Sequence, residues 1–324
     1  MKKQKDYFEG RKVYELTEEE RKACISKQEG NACRHRLEKR WYRRLVVLNV
    51  LIVVVVVAMF VSNFTETKSW AELVIAQTAE EFSADYVEDK TQYRYDALDD
   101  VPFEVELIFS GIVFFAILIP ALYYMYAQYR SMSLRITERN FPEVYRLIEE
   151  YAHRLGIKVP KAYVMQQNGI LNAFSAFLPR RQWICIHSEL FEVAYREYKD
   201  MDALAFMIAH EMAHIYYGHA TLGYNLSIMF SKMIPILGTT ASRTREYSCD
   251  RLAQRLTGAD GVDAMLVLVV DRHLYKLVDK EDYIEEMKSQ RGFFLWIYNL
   301  LADHPVMCKR IVALAEGSGS GKLY

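Results

Sequence analysis

The chain has 324 residues, enough for one sizeable catalytic domain and additional segments. Its formal net charge of -1 and its pI near 6.7 argue against a nucleic-acid-binding protein, because no strong cationic field is available. The five cysteines are odd in number and widely spread, which does not resemble a disulfide framework and favours a reducing compartment.

Residues 1–44 are highly charged and are predicted to form a cytoplasmic arm that is either a solvated helix or disordered. Cys24, Cys33 and His35 are potential metal ligands by residue type. Their spacing matches no closed zinc site, so we expect no metal centre in this arm.

Two uncharged apolar stretches follow, at residues 45–65 and 107–129. Each is long enough to cross a bilayer core, which needs about 20 apolar residues. The first begins far from Met1 and has no small-x-small cleavage site, so it is predicted to be a retained anchor rather than a signal peptide. Two buried core helices are the alternative interpretation. The acidic stretch between them, 66–106, is predicted to be an extracytoplasmic loop.

Basic residues adjoin the outer end of each apolar stretch. They are Arg34, Arg36, Lys39, Arg40, Arg43 and Arg44 before the first, and Arg130, Arg135 and Arg139 after the second. The positive-inside rule therefore places both flanks in the cytoplasm. We expect a multi-pass protein of the inner or plasma membrane, with its N-terminus and catalytic domain cytoplasmic.

Residues 130–316 have the pattern of a soluble domain, mainly α with a small β-sheet (α+β). Pro142 suits the first turn of a helix that Gly156 would end. Strands are predicted at 161–165 and 183–186, and a helix at 189–198. Residues 317–324 alternate glycine and serine at their start and are predicted to be a flexible tail.

The central motif is His210-Glu211-Met212-Ala213-His214. On a helix predicted to run from after Asp200 to about Gly218, both imidazoles project from one face and can hold one Zn²⁺. Glu211 lies beside them, in the position of a general base for an attacking water. The alternative is a helix with two incidental histidines.

His219 follows His214 by five residues, whereas the metzincin pattern places its third histidine six residues later. We therefore expect His219 to support a ligand or simply to end the helix. A second helix, 243–256, would be terminated by Gly258. It carries Glu246 as the natural third zinc ligand.

Asp250 lies four residues after Glu246, on the same helix face, and could orient a ligand histidine; an exposed acidic face is the alternative. His304-Pro305 opens the last helix, where His304 either caps that helix or stabilises an oxyanion. Residues 222–241 could form a third membrane segment, a re-entrant piece or an interfacial helix, and Lys232 favours the last. Residues 293–296 are predicted to lie in a buried core helix.

At these residues the chain resembles the membrane-associated zinc metallopeptidases that include HtpX and the CAAX prenyl proteases. The likeness rests on Asn172-Ala173-Phe174, His210-Glu211-Met212-Ala213-His214 with His219, Glu246 with Asp250, and His304-Pro305 with Arg310. It covers Phe141 to about Glu316 and the preceding membrane hairpin. The chain departs from the HtpX pattern in its charged arm and in lacking two clear membrane helices between His214 and Glu246.

The resemblance implies a gluzincin-type domain in which an edge strand of a small sheet pairs with the substrate backbone. By position this strand would be 182–187, so that Trp183, Ile184, Cys185 and Ile186 would contact substrate. Asn172 would lie near the bound peptide, and Asp250, His219 and Arg310 would surround the ligands.

The expected function is that of an integral membrane zinc endopeptidase with one Zn²⁺ per chain. Its partners would be the bilayer and protein or peptide substrates, with misfolded membrane or membrane-proximal proteins the best fit to strand-like binding. No nucleic-acid partner is expected. The alternative is a non-proteolytic membrane sensor or scaffold with a structural zinc site, and an intact Glu211 argues against it.

Overall fold

The computed structural model describes residues 17, 19, 23–82, 101–166, 173–179, 181–197, 200–317 and 321–324. Asn172 therefore lies outside the described residues, as do residues 83–100 of the predicted acidic loop. The chain divides into two compact units. One contains the residues up to Val46 together with Tyr124–Tyr324, and the other is Val47–Tyr123.

The described part of the chain is mostly helical, with one four-stranded sheet. The helices are α1 (Lys27–Cys33), α2 (Glu38–Ser62), α3 (Phe64–Phe82), α4 (Phe103–Ser131), α5 (Pro142–Leu155), α6 (Ser188–Glu192), α7 (Met201–Tyr216), α8 (Leu222–Ser227), α9 (Leu237–Thr257), α10 (Val262–Val270), α11 (Lys280–Ser289), α12 (Phe293–Leu301) and α13 (Met307–Glu316). The strands are β1 (Ser133–Arg135), β2 (Lys161–Met165), β3 (Ala173–Leu178) and β4 (Arg181–His187). A π-helical segment, Val193–Glu197, continues α6, and the two together cover residues 189–197 of the predicted 189–198 helix.

Residues 45–62 of the first predicted membrane stretch lie in α2, and the whole of the second lies in α4. Both helices are long and apolar enough to cross a bilayer. Only 11% of the apolar window of α2 and none of that of α4 is buried, which disfavours the alternative of core helices. Helix α3 occupies the first part of the stretch predicted to be an acidic loop.

The sheet has the order β1-β2-β4-β3. Strand β4 runs parallel to β2 on one side and antiparallel to β3 on the other. The prediction that 182–187 is an exposed edge is therefore wrong. Only two residues separate β3 from β4, so β3 folds back along the outer side of β4 and takes the edge position. The four residues expected to contact substrate are instead buried in the sheet interior: Trp183, Ile184, Cys185 and Ile186.

Helix α7 lies in the main core and is buried along almost its whole length. It begins after Asp200 as predicted, and the Asp200 side chain caps it by accepting a hydrogen bond from the Asp202 amide at 3.0 Å. Helix α9 packs against α7. It ends where predicted, at Gly258, whose φ of 73° is the left-handed conformation that favours glycine.

The expectation of a solvated N-terminal arm does not hold for its described part beyond Ser26. A capping box between Ser26 and Glu29 starts α1, and Cys33, His35 and Glu38 are buried. Leu45 packs with Ile228 and Ala241. The charged composition suggested exposure, but His35 and Glu38 can be buried because they form hydrogen bonds with Ser248 and His219, far along the chain.

In the second half of the chain the structure removes one of three alternatives and corrects two predictions. Residues 222–241 form α8, a short 3-10 turn and the start of α9, so they contain no single helix long enough to span a membrane. Helix α12 is not a core helix, since Phe293 and Phe294 are 67% and 82% exposed. The end of the predicted flexible tail is packed, with Leu323 buried and its carbonyl accepting a hydrogen bond from Asn299.

Candidate metal centre

Three predicted ligands converge from two packed helices. His210 and His214 lie one turn apart on α7, and their Nε2 atoms are 3.3 Å apart. Glu246 on α9 faces both, with Oε2 3.4 Å from His210 Nε2 and Oε1 3.4 Å from His214 Nε2. The three donor groups thus form a triangle in which the Glu246 corner is the whole carboxylate, because the two 3.4 Å edges end at different oxygens.

The dimensions of this triangle fit a zinc ion. Tetrahedral Zn²⁺ with bonds of about 2.0–2.1 Å to nitrogen and oxygen places neighbouring ligand atoms about 3.3–3.4 Å apart. Two neutral imidazoles and a carboxylate are also the donor set of catalytic sites that keep a fourth position open. His210 and Glu246 are buried, and His214 is only partly exposed.

The electrostatics of the centre favour a cation. Burial opposes ionisation of Glu246, but hydrogen bonds with His210 and His214 hold its pKa well below the ordinary value. Burial likewise opposes a charge on His210, yet hydrogen bonds to Asp250 and Glu246 raise its pKa to about 10. The site therefore attracts positive charge at the point where the three donors meet.

Asp250 contacts His210 through the ring nitrogen that does not face Glu246. Its Oδ1 lies 2.9 Å from His210 Nδ1, which leaves Nε2 directed at the triangle. Arg310 on α13 donates to both carboxylate oxygens of Asp250, over 2.8 and 2.7 Å. Burial would raise the pKa of Asp250, but the charge of Arg310 is the main opposing effect and the pKa falls to about 2.

His219 contacts His214, the other candidate histidine ligand. Its Nδ1 lies 3.1 Å from His214 Nδ1, and its Nε2 lies 3.1 Å from Glu38 Oε1. Burial is the main cause of its low pKa, about 4, so His219 is neutral at physiological pH. Sequence reasoning missed Glu38, because nothing in the local pattern of the N-terminal segment links it to a histidine 181 residues later.

The triangle opens into a cleft of about 650 Å³. Glu211 lines this cleft next to the two histidines. His304 also lines it, 67% exposed, with Nε2 3.8 Å from Glu246 Oε2. One wall is formed by the edge strand β3, through Phe174, Ser175 and Phe177 among others.

A second group with metal-ligand chemistry lies behind the first. It comprises His214, His219 and Cys249, whose ligand atoms lie within 4.8 Å of one another. Cys249 is fully buried, and burial raises the pKa of its thiol well above the ordinary value. A protonated thiol is a poor ligand, so this set fits zinc less well than the His210, His214 and Glu246 set.

The chain matches the model for Peptidase family M48 over residues 138–231. The matched region contains β2–β4 and the His210–His214 motif. The match supports membership of the M48 metallopeptidase family, to which the HtpX and CAAX proteases belong, and therefore a peptidase activity. A comparison with solved structures finds no match.

Proposed function

We propose that the chain is an integral membrane zinc endopeptidase. The observation that carries this proposal is the triangle of His210 Nε2, His214 Nε2 and the Glu246 carboxylate, with edges of 3.3, 3.4 and 3.4 Å. Its dimensions fit zinc, and it adjoins Glu211 at the base of an open cleft. A purely structural zinc site would need the three ligands but not the Glu211 carboxylate.

His210, His214 and Glu246 would hold the ion. When bound in such a set, zinc acts as a Lewis acid towards the scissile carbonyl and makes water nucleophilic at neutral pH. Glu211 accepts the proton of the attacking water and delivers it to the leaving amine. His304, exposed at the cleft, stabilises the oxyanion that forms from the carbonyl oxygen.

Substrate binding is assigned to β3 instead of β4. Strand β3 borders the cleft and ends the sheet among the described residues, so an extended peptide can pair with its outer edge beyond Ala173. Such pairing relies on the peptide backbone and imposes little sequence preference. Unfolded segments of membrane or membrane-proximal proteins meet this requirement, and the basic flanks of α2 and α4 favour a cytoplasmic site.

The test is cleavage of casein or a quenched-fluorescent peptide by the full chain in detergent. A chelator should abolish turnover and Zn²⁺ should restore it. Glu211→Gln should retain zinc and lose about a hundred- to ten-thousand-fold in kcat, the usual cost of removing a general base. Glu285→Gln on the exposed face of α11 is the matched control and should be unaffected. A zinc-loaded wild-type protein without turnover would favour the sensor or scaffold with structural zinc.

A further inference from the structure

Glu38 is the first residue of α2, the helix that contains the first predicted membrane span. Its side chain is only 4% exposed, although it is a carboxylate in a segment rich in charge. A buried carboxylate is costly unless its oxygens are hydrogen-bonded. Here Oε1 is contacted by His219 and Arg34, and Oε2 accepts a hydrogen bond from the Ser248 hydroxyl.

The hydrogen-bond chemistry fixes the direction of the chain from Glu38 to the metal centre. His214 can bind zinc through Nε2 only if that atom carries no proton, so its proton lies on Nδ1. His214 Nδ1 must then donate to His219 Nδ1, 3.1 Å away. His219 in turn carries its proton on Nε2 and donates to Glu38 Oε1 at 3.1 Å.

Cys249 agrees with this assignment. Its Sγ lies 3.8 Å from His219 Nδ1, where the thiol is compatible with an acceptor nitrogen as a second, weak donor beside the His214 N–H. The opposite tautomer of His219 would place an N–H against the N–H of His214 and would leave the Glu38 carboxylate facing a lone pair. Only one arrangement therefore satisfies Glu38, His219 and His214 together.

We propose that Glu38 is a positioning residue for the metal centre and acts through His219 on His214. By accepting the His219 proton, Glu38 fixes the tautomer and ring orientation of His219, which fixes those of His214. The ring of His210 is oriented in the same way by Asp250, which lies on α9 beside the ligand Glu246. His214 receives it from the first turn of a helix that continues towards the predicted membrane span. This inference rests on the proposed zinc site.

The consequence is that a mutation at the start of the membrane helix alters metal binding. Loss of a hydrogen-bonded partner behind a ligand typically weakens metal affinity by about ten- to a hundred-fold. Because Glu38 acts through one intervening side chain, we expect about a tenfold loss for Glu38→Gln, the lower end of that range.

The experiment measures the Zn²⁺ dissociation constant of the full chain in detergent, by competition with a chromophoric chelator. It also records the visible absorption of the Co²⁺-substituted protein, which reports the geometry around the ion without requiring turnover. The variants are Glu38→Gln, His219→Gln and the double variant. Glu29→Gln is the matched control, because Glu29 belongs to the same N-terminal segment and pairs with Arg255 on α9 at 2.8 Å without contacting His219.

We expect Glu38→Gln to weaken Zn²⁺ binding about tenfold and to change the Co²⁺ spectrum, with Glu29→Gln within about twofold of wild type. In the His219→Gln background, Glu38→Gln should weaken Zn²⁺ binding by less than a further factor of about two, because His219, the side chain that connects Glu38 to His214, is already lost. A folded Glu38→Gln protein with wild-type affinity and spectrum overturns the proposal. Equal losses with and without His219 also overturn it. If Glu38→Gln does not fold, Glu38→Asp takes its place, since it keeps the charge but no longer reaches His219.

Failure of the proposed function looks different. If the triangle does not bind Zn²⁺ at all, wild type itself will show no competition with the chelator. If zinc binds but peptides are not cleaved, the Glu38 comparison is still measurable and decides the positioning role by itself.

Discussion

The buried pair of Asp250 and Arg310 links the stability of the domain to its metal centre, and the two effects can be separated by mutation. Asp250 and Arg310 side chains are 3% and 7% exposed and share two hydrogen bonds. Asp250→Ala removes the partner of a buried guanidinium and, at the same time, the group that orients His210. The variant should therefore lose both stability and zinc affinity.

The magnitudes follow from the two contacts. Breaking a buried ion pair by removing one partner typically costs about 3–5 kcal/mol, because the other charge is left uncompensated. For a domain of this size that corresponds to a fall in Tm of about 6–20 °C. Loss of the His210 contact should weaken Zn²⁺ binding by about ten- to a hundred-fold.

The double variant Asp250→Ala/Arg310→Met distinguishes these effects. It removes the stranded charge, so Tm of the metal-free protein should recover most of the loss. Zinc affinity should remain low, because His210 still lacks its acceptor. Calorimetry of the metal-free protein and chelator competition measure the two quantities. Recovery of zinc affinity in the double variant would refute the orienting role of Asp250.

Three other predictions use different parts of the molecule. A peptide substrate can be N-methylated at one amide at a time, and turnover should fall only at alternate positions, because every second amide of a paired strand points towards β3. A uniform response along the peptide would argue against strand pairing. A membrane-impermeant maleimide should label the exposed thiol of Cys24 in inverted vesicles and not in intact cells, with Cys24→Ser as control, and labelling of intact cells would reverse the topology. Asp200→Asn should cost about 1–2 kcal/mol at pH 7, because the wild-type carboxylate accepts from Lys276 at 2.6 Å and from Tyr275 at 2.8 Å. These bonds outweigh burial and lower the pKa of Asp200 in the folded protein. The stabilisation that they contribute is therefore present above the unfolded pKa of about 4 and is lost as pH falls through the folded pKa. In thermal melts at decreasing pH, the variant should lack this loss of stability.

Local signals were sufficient to predict much of the fold. Asp200 capped the catalytic helix where expected, and Gly156 and Gly258 ended their helices. Helical periodicity placed His210 and His214 on one face. These features depend on a few neighbouring residues, so the sequence specifies them without knowledge of the rest of the fold.

Properties that depend on distant partners were not predictable in the same way. Strand β4 has the composition of a buried strand, but its central position depends on β3 folding back along it. Apolar residues in α12 look the same whether the helix is buried or exposed, and Phe294 proved to be exposed. The role of Glu38 depends on His219 and Ser248, which lie in other helices or turns and carry no signal at residue 38.

The unit that holds the metal centre is discontinuous, with the stretch Val47–Tyr123 between its two parts. Glu38 and His219 are 181 residues apart, so at about 5–20 residues per second the ribosome makes the second roughly 10–35 s after the first. Helices α2, α3 and α4 are synthesised early in this interval and are available to the membrane insertion machinery first. The candidate ligands His210, His214 and Glu246 all follow this stretch in the chain, so the metal centre can be completed only after both predicted membrane helices have been made.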